Sequence, residues 1–133
     1  MTPVFADSAY YVALLLQTDQ THHRAVEITG QLQYPIITTA WVLTEVANTF
    51  SAPRFRTAVV SLLDDLQGDP NVRVIAPDSN IFAQGIELYR NRPDKSWSLT
   101  DCISFVVMDR EGVKDALTLD HHFEQAGFNA ILR

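Results

Sequence analysis

Short apolar runs alternate along the chain with stretches in which apolar side chains return every three or four positions, and this alternation predicts strand followed by helix several times over. Pro3-Val4-Phe5-Ala6 is the first strand-like run, and Asp7 stands where it can cap a helix from Ala9 to Leu16. Thr21 is placed to cap a second helix to about Leu32, before a buried strand over Tyr34-Pro35-Ile36-Ile37-Thr38. Thr39 opens a third helix in which Val42, Leu43, Val46, Ala47 and Phe50 share one face; Pro53 ends it near Ser51 or Ala52. A further helix follows from about Arg54 to Leu66, then turn chemistry at Gly68-Asp69-Pro70-Asn71, a strand at Val72-Arg73-Val74-Ile75 and a helix from Asp78 to Tyr89. After a polar loop from Asn91 to Trp97, Ser98 starts a strongly apolar helix ending at Gly112. Lys114 to Leu119 and Phe128 to Leu132 supply two last strands around a helical turn from His121 to Ala126 that Gly127 closes. The expected class is α/β, with a mostly parallel central sheet flanked by helices and ligand sites beyond the carboxyl ends of its strands.

Length and composition narrow this picture. A chain of 133 residues that is 47% hydrophobic supports one core, so one domain over residues 1–133 is expected. Its one cysteine, Cys102, excludes an intrachain disulfide framework and reads as a buried, inert thiol. Met1 leads directly into an apolar segment without a basic stretch or cleavage signal, and no apolar run approaches the roughly 20 residues that cross a bilayer, so the expectation is a cytoplasmic protein without a membrane span. The net charge of -6 counts against a binder that merely coats nucleic acid with lysine and arginine. It does not count against a protein whose acids hold cations where a phosphate would sit.

Four acids fit that second description. Asp7 follows the first strand and Asp120 the Ala116-Leu117-Thr118-Leu119 strand, so a parallel sheet projects both from one rim. Glu45 points about 130° from the centre of its helix's apolar face, toward a cleft or water. Asp101 sits in the first turn of a helix fixed by Ile103, Phe105, Val106, Val107 and Met108. Each has an ordinary alternative: Asp7 and Asp120 as N-caps, Asp101 as the capping-box partner of Ser98, Glu45 on a solvated face. Four carboxylates at one rim repel unless cations or shifted protonation offset the charge; metal is the simplest counterion, and such a hard-oxygen cluster suits Mg2+ or Mn2+ and phosphodiester hydrolysis. A glycine-rich phosphate loop, a G-x-S-x-G elbow and Cys/His zinc spacing are all missing from the sequence.

Val4-Phe5-Ala6-Asp7-Ser8, Thr44-Glu45-Val46, Ser98-Leu99-Thr100-Asp101-Cys102-Ile103-Ser104-Phe105 and Thr118-Leu119-Asp120-His121-His122-Phe123, in this order over nearly the whole chain, resemble the PIN-domain family. The resemblance extends most closely to the VapC-type toxin ribonucleases of toxin-antitoxin systems. It implies a three-layer PIN-like fold, catalytic metal-binding roles for Asp7, Glu45, Asp101 and Asp120, and Ser8 and Thr118 as hydrogen-bond partners that hold them. It further implies an Mg2+- or Mn2+-dependent endoribonuclease, a homodimer, and inhibition by a small antitoxin protein. The same pattern occurs in solitary RNA-processing nucleases.

Arg54, Arg56, Arg90, Arg92 and Lys95 are candidates for contacting RNA phosphates, the last three around the polar loop. Trp41 suits packing, while Trp97 in its loop is open to stacking on a base. Adjacent histidines on a helix diverge by about 100°, which argues against a shared ion at His22-His23 or His121-His122, although the latter pair directly follows Asp120. Two rivals stand beside the nuclease. A phospho-aspartate protein is disfavoured because Asp7-Ser8-Ala9 lacks a D-x-D pattern and Ile75-Ala76-Pro77-Asp78 begins a helix. A catalytically silent RNA- or protein-binding module is disfavoured by four intact acids.

Overall fold

The computed structural model describes residues 3–133, so Met1 and Thr2, on which the reading of the chain's start partly rests, lie outside it. Five strands, β1 (Val4–Ala6), β2 (Ile36–Thr39), β3 (Val72–Ile75), β4 (Asp115–Leu117) and β5 (Asn129–Ala130), form one sheet in the order β3-β2-β1-β4-β5. Every neighbouring pair is parallel. The flanking helices are α1 (Ser8–Leu15), α2 (His22–Gln31), α3 (Ala40–Thr49), α4 (Pro53–Gly68), α5 (Ser79–Asn91), α6 (Leu99–Glu111) and α7 (His121–Gln125). β1 is the centre: the chain leaves it toward β2 and β3 on one side and returns to β4 and β5 on the other. The order therefore reverses between β1 and β4, and the crevice beyond their carboxyl ends is where such sheets gather ligands.

Burial explains the sequence pattern. Val4, Phe5, Ala6, Ala116 and Leu117 are buried, as a strand covered on both faces requires. α6 is apolar nearly all round and buries Cys102, Ile103, Phe105, Val107 and Met108, while Gly112 takes φ 68° to end it. Phe105 meets Phe123 edge to face at 4.9 Å between ring centroids, tying α6 to α7.

α5 and α6 approach closely at Gly85, where an added Cβ would lie 2.5 Å from Ile103 Cγ1 and 3.3 Å from Ile103 Cα. Alanine normally favours a helix over glycine by about 1 kcal/mol. Overpacking a buried contact costs about 1–3 kcal/mol, so Gly85→Ala is expected to lower the denaturant midpoint despite the better helix former. A midpoint equal to or above that of the parent protein contradicts this packing.

Some boundaries differ from expectation. β2 begins at Ile36 because Tyr34 is 49% exposed and turns outward. Thr21 does not cap α2 with its side chain; its own N–H is taken by Asp19 Oδ1 at 2.8 Å. β4 stops at Leu117, because Thr118 leaves the ladder to bond groups at the rim, and Asp120 lies three residues beyond the strand. β5 is only Asn129–Ala130, an edge pairing against Asp115 and Ala116.

Candidate active site

Asp7 leaves the end of β1 with 5% of its surface exposed. It occupies the N-cap position of α1, but its side chain makes no capping bond, so the ordinary reading of this residue does not hold. Thr118 Oγ1, arriving from the end of β4, donates to Asp7 Oδ2 at 2.8 Å. The same hydroxyl accepts from the backbone N–H of Asp120 at 3.0 Å, so one threonine links the first and fourth acids. Burial pushes the Asp7 carboxyl up to about 7; Thr118 and the Ser8 backbone oppose this, while the charges of Asp101 and Glu45 add to it.

The other acids reach the same crevice from three elements. Glu45, half-buried on α3, accepts from Ser8 Oγ through Oε1, which joins α3 to the start of α1. Asp101, 8% exposed, forms a reciprocal capping box with Ser98: its N–H donates to Ser98 Oγ at 2.9 Å and its Oδ2 accepts from Ser98 N at 3.1 Å. Burial raises the Asp101 carboxyl above its ordinary value, the Ser98 backbone opposes that, and the Asp120 charge raises it again. Asp120 caps α7, its Oδ1 accepting from His122 N at 2.9 Å. Capping thus describes Asp101 and Asp120 without exhausting them. In Glu45, Asp101 and Asp120 alike, one oxygen takes every hydrogen bond, and the other has no donor among the described residues.

The chemistry of that donor set suits a hard divalent cation, with carboxylates from four separate elements, three of them held by one oxygen with the second open. Among the described residues, however, only Asp120, His121 and His122 bring three ligand atoms within 4.8 Å of one another. His121 and His122 also reach the rim, against the expectation that they diverge. The ligand atoms of Asp120, His121 and His122 lie within 4.8 Å of one another, because both rings fold back toward the capping carboxylate rather than along the helix sides. His122 Nδ1 stands 3.2 Å from Asp101 Oδ2 and 3.2 Å from Asp120 Oδ1. The wider rim includes an open cavity of about 450 Å³ bounded by Trp41, Glu45, Asn48 and Thr100.

The basic candidates remain outside this cluster. Arg54 lies over the Phe55 ring at 4.6 Å, and Arg56 donates to Ser51 O. Arg90 pairs with Glu87 and Arg92 with Asp94, while Arg92, Lys95 and Trp97 border a separate hollow of about 470 Å³. Trp97 does not offer a face to a base. It is 5% exposed, packs edge to face on Phe105 and donates from Nε1 to Gln125 Oε1 at 3.0 Å. Trp41 stacks on Phe82, consistent with its packing role. Cys102 is fully buried, and burial pushes its thiol up to about 11, away from reactivity.

The family model for the PIN domain matches residues 4–129, a span that contains all four acids. The chain belongs to the PIN domain family. Its fold is similar to the crystal structure of VapC20 from Mycobacterium tuberculosis, described as a Sarcin-Ricin loop cleaving toxin. The two are 24% identical with a TM-score of 0.87, over 96% of this chain and 97% of that one. It is also similar to FitAcB from Neisseria gonorrhoeae, at 16% identity and a TM-score of 0.66 over 95% and 94% of the two chains. No curated protein gives a significant sequence match. These structural likenesses establish the three-layer PIN fold, and membership of the family supports a nuclease, a hydrolase of phosphodiester bonds. No helix among the described residues is long and apolar enough to cross a membrane.

Proposed function

We propose that this PIN domain is an Mg2+- or Mn2+-dependent endoribonuclease and the toxin of a toxin-antitoxin pair, with Asp7, Glu45, Asp101 and Asp120 holding the metal. The observation that carries the reading is Asp7: a nearly buried carboxylate, held by Thr118 and not used as a cap, with two other acids close enough to raise its pKa further. Such a group is costly to keep ionised unless a cation accompanies it. A bound divalent ion supplies charge neutralisation and Lewis-acid polarisation of the phosphate and the attacking water. The chain's own contribution is orientation. Ser8 aims Glu45, the Ser98 box fixes Asp101, and Thr118 sets Asp7 and the backbone of Asp120 together. Arg54, Arg56, Arg90, Arg92 and Lys95 are proposed to guide the RNA backbone from outside the cluster, as surface cations on an acidic protein.

The toxin role rests on the family and on the fold shared with VapC20. An antitoxin peptide across the acid rim and a homodimer belong to the same proposal. A panel of structured and single-stranded RNAs, incubated with Mn2+ or with EDTA, tests the chemistry: cutting is expected with Mn2+ alone. Induced expression in a bacterial host tests the role, with growth arrest expected from the parent chain and normal growth from Asp101→Asn. Cleavage without arrest points to a solitary RNA-processing enzyme, and Mn2+ binding without cleavage of any RNA points to an interaction module.

A further inference from the structure

His122 stands between two acids that the chain brings from different elements, Asp101 on α6 and Asp120 at the start of α7. Its Nδ1 is 3.2 Å from Asp101 Oδ2 and 3.2 Å from Asp120 Oδ1, and its side chain is only 19% exposed. Both neighbours of that nitrogen are carboxylate oxygens, which accept, so Nδ1 is assigned as the donor. The two oxygens it faces are the same two that backbone N–H groups already hold, from Ser98 and from His122 itself. The oxygens left open are therefore Asp101 Oδ1 and Asp120 Oδ2.

We propose that His122 is a positioning residue that ties Asp101 to Asp120 and so holds both carboxylates in place for a divalent cation. The inference rests on the metal reading above and goes beyond it by assigning work to a residue outside the four acids. Partners of metal-bound carboxylates and imidazoles typically change metal affinity by about 10–100-fold when removed, because they fix the ligand's direction. No other side chain links these two acids among the described residues. The exposed neighbour His121 reaches only Asp120, at 3.8 Å.

The test is Mn2+ affinity by calorimetry on the full chain at pH 8, with thermal midpoints in EDTA to confirm folding. His122→Phe keeps the ring volume without a donor, and His122→Asn places an amide N–H near the position of Nδ1. Mn2+ binding about 10–100-fold weaker in His122→Phe, with His122→Asn within about threefold of the parent, is the expected result. His122→Ala is the alternative donor-less variant if the phenylalanine form does not fold. A donor-less variant that binds Mn2+ within twofold of the parent overturns the inference, as does an asparagine variant no better than phenylalanine. Failure of the parent chain itself to bind Mn2+ overturns the metal reading, and this inference with it.

Discussion

Asp7→Asn is expected to make the metal-free protein more stable at pH 8 while abolishing its stabilisation by Mn2+. The sign follows from the raised pKa. In the unfolded chain the Asp7 carboxyl titrates near 3.8, and in the folded protein burial moves it to about 7. Stability from this group is fully present below the lower value, declines as pH rises between the two, and is lost above about 7. At pH 8 the folded protein carries a desolvated anion that the unfolded chain hydrates, a penalty on the order of 4 kcal/mol at the usual 1.4 kcal/mol per pKa unit. Asparagine keeps an acceptor for Thr118 Oγ1 without the charge. For a domain of this size the thermal midpoint in EDTA is expected to rise on the order of 10 °C at pH 8 and little at pH 4. Added Mn2+ is expected to stabilise the parent chain, by binding the folded form alone, and to leave the variant unchanged. A variant less stable than the parent in EDTA at pH 8, or still stabilised by Mn2+, contradicts the placement of Asp7 as a ligand.

Thr118→Val carries the second large expected effect. Its hydroxyl is fully buried and works twice, donating to Asp7 and accepting from Asp120 N. Valine has nearly the same shape, leaves Asp120 N without its acceptor and leaves the buried Asp7 carboxylate with only the Ser8 backbone. Leaving a buried group unsatisfied costs about 1–3 kcal/mol, more when charged, so a loss of about 2–4 kcal/mol in denaturant unfolding at pH 8 is expected. The Asp7 carboxyl should rise further, because the Thr118 bond is the largest influence holding it down. Thr118→Ser, which restores the hydroxyl, is expected to recover most of the loss. If the valine and serine forms unfold at the same denaturant concentration, Thr118 is packing and not an anchor.

The strand-helix alternation and the place of Asp7 and Asp120 at one end of the sheet are legible because periodicity and strand ends are local signals. Phe5 and Leu117 announce strands buried on both faces, and Asp7 and Asp120 follow from where parallel strands end, while Glu45 and Asp101 rest on helix-face and helix-start arguments. What escaped depends on contacts between distant residues. Thr118 reads as the interior of a strand, and only its bonds across to Asp7 and forward to Asp120 show why β4 stops early. Trp97 lies in a polar loop yet is buried, since Phe105 and Gln125 supply a packing surface and an acceptor that the loop's composition does not reveal. Asp7 has the sequence position of a cap without the side-chain bond of one. The angle between helix neighbours sets His121 and His122 apart and is blind to Asp101 arriving from another helix. A cap position does not exhaust a residue at this rim: Asp101 caps with one oxygen and leaves the other without a donor among the described residues.

The four acids are proposed to act through a bound divalent cation to cut RNA. The most direct test follows RNA cleavage as Mn2+ is titrated into EDTA-treated protein, with calorimetric Mn2+ binding measured on the same preparation and Asp101→Asn carried in parallel. The account predicts a cleavage rate that rises with site occupancy in the parent chain and is absent at every Mn2+ concentration in the variant. Cleavage that persists in EDTA, or that Asp101→Asn retains, would contradict it.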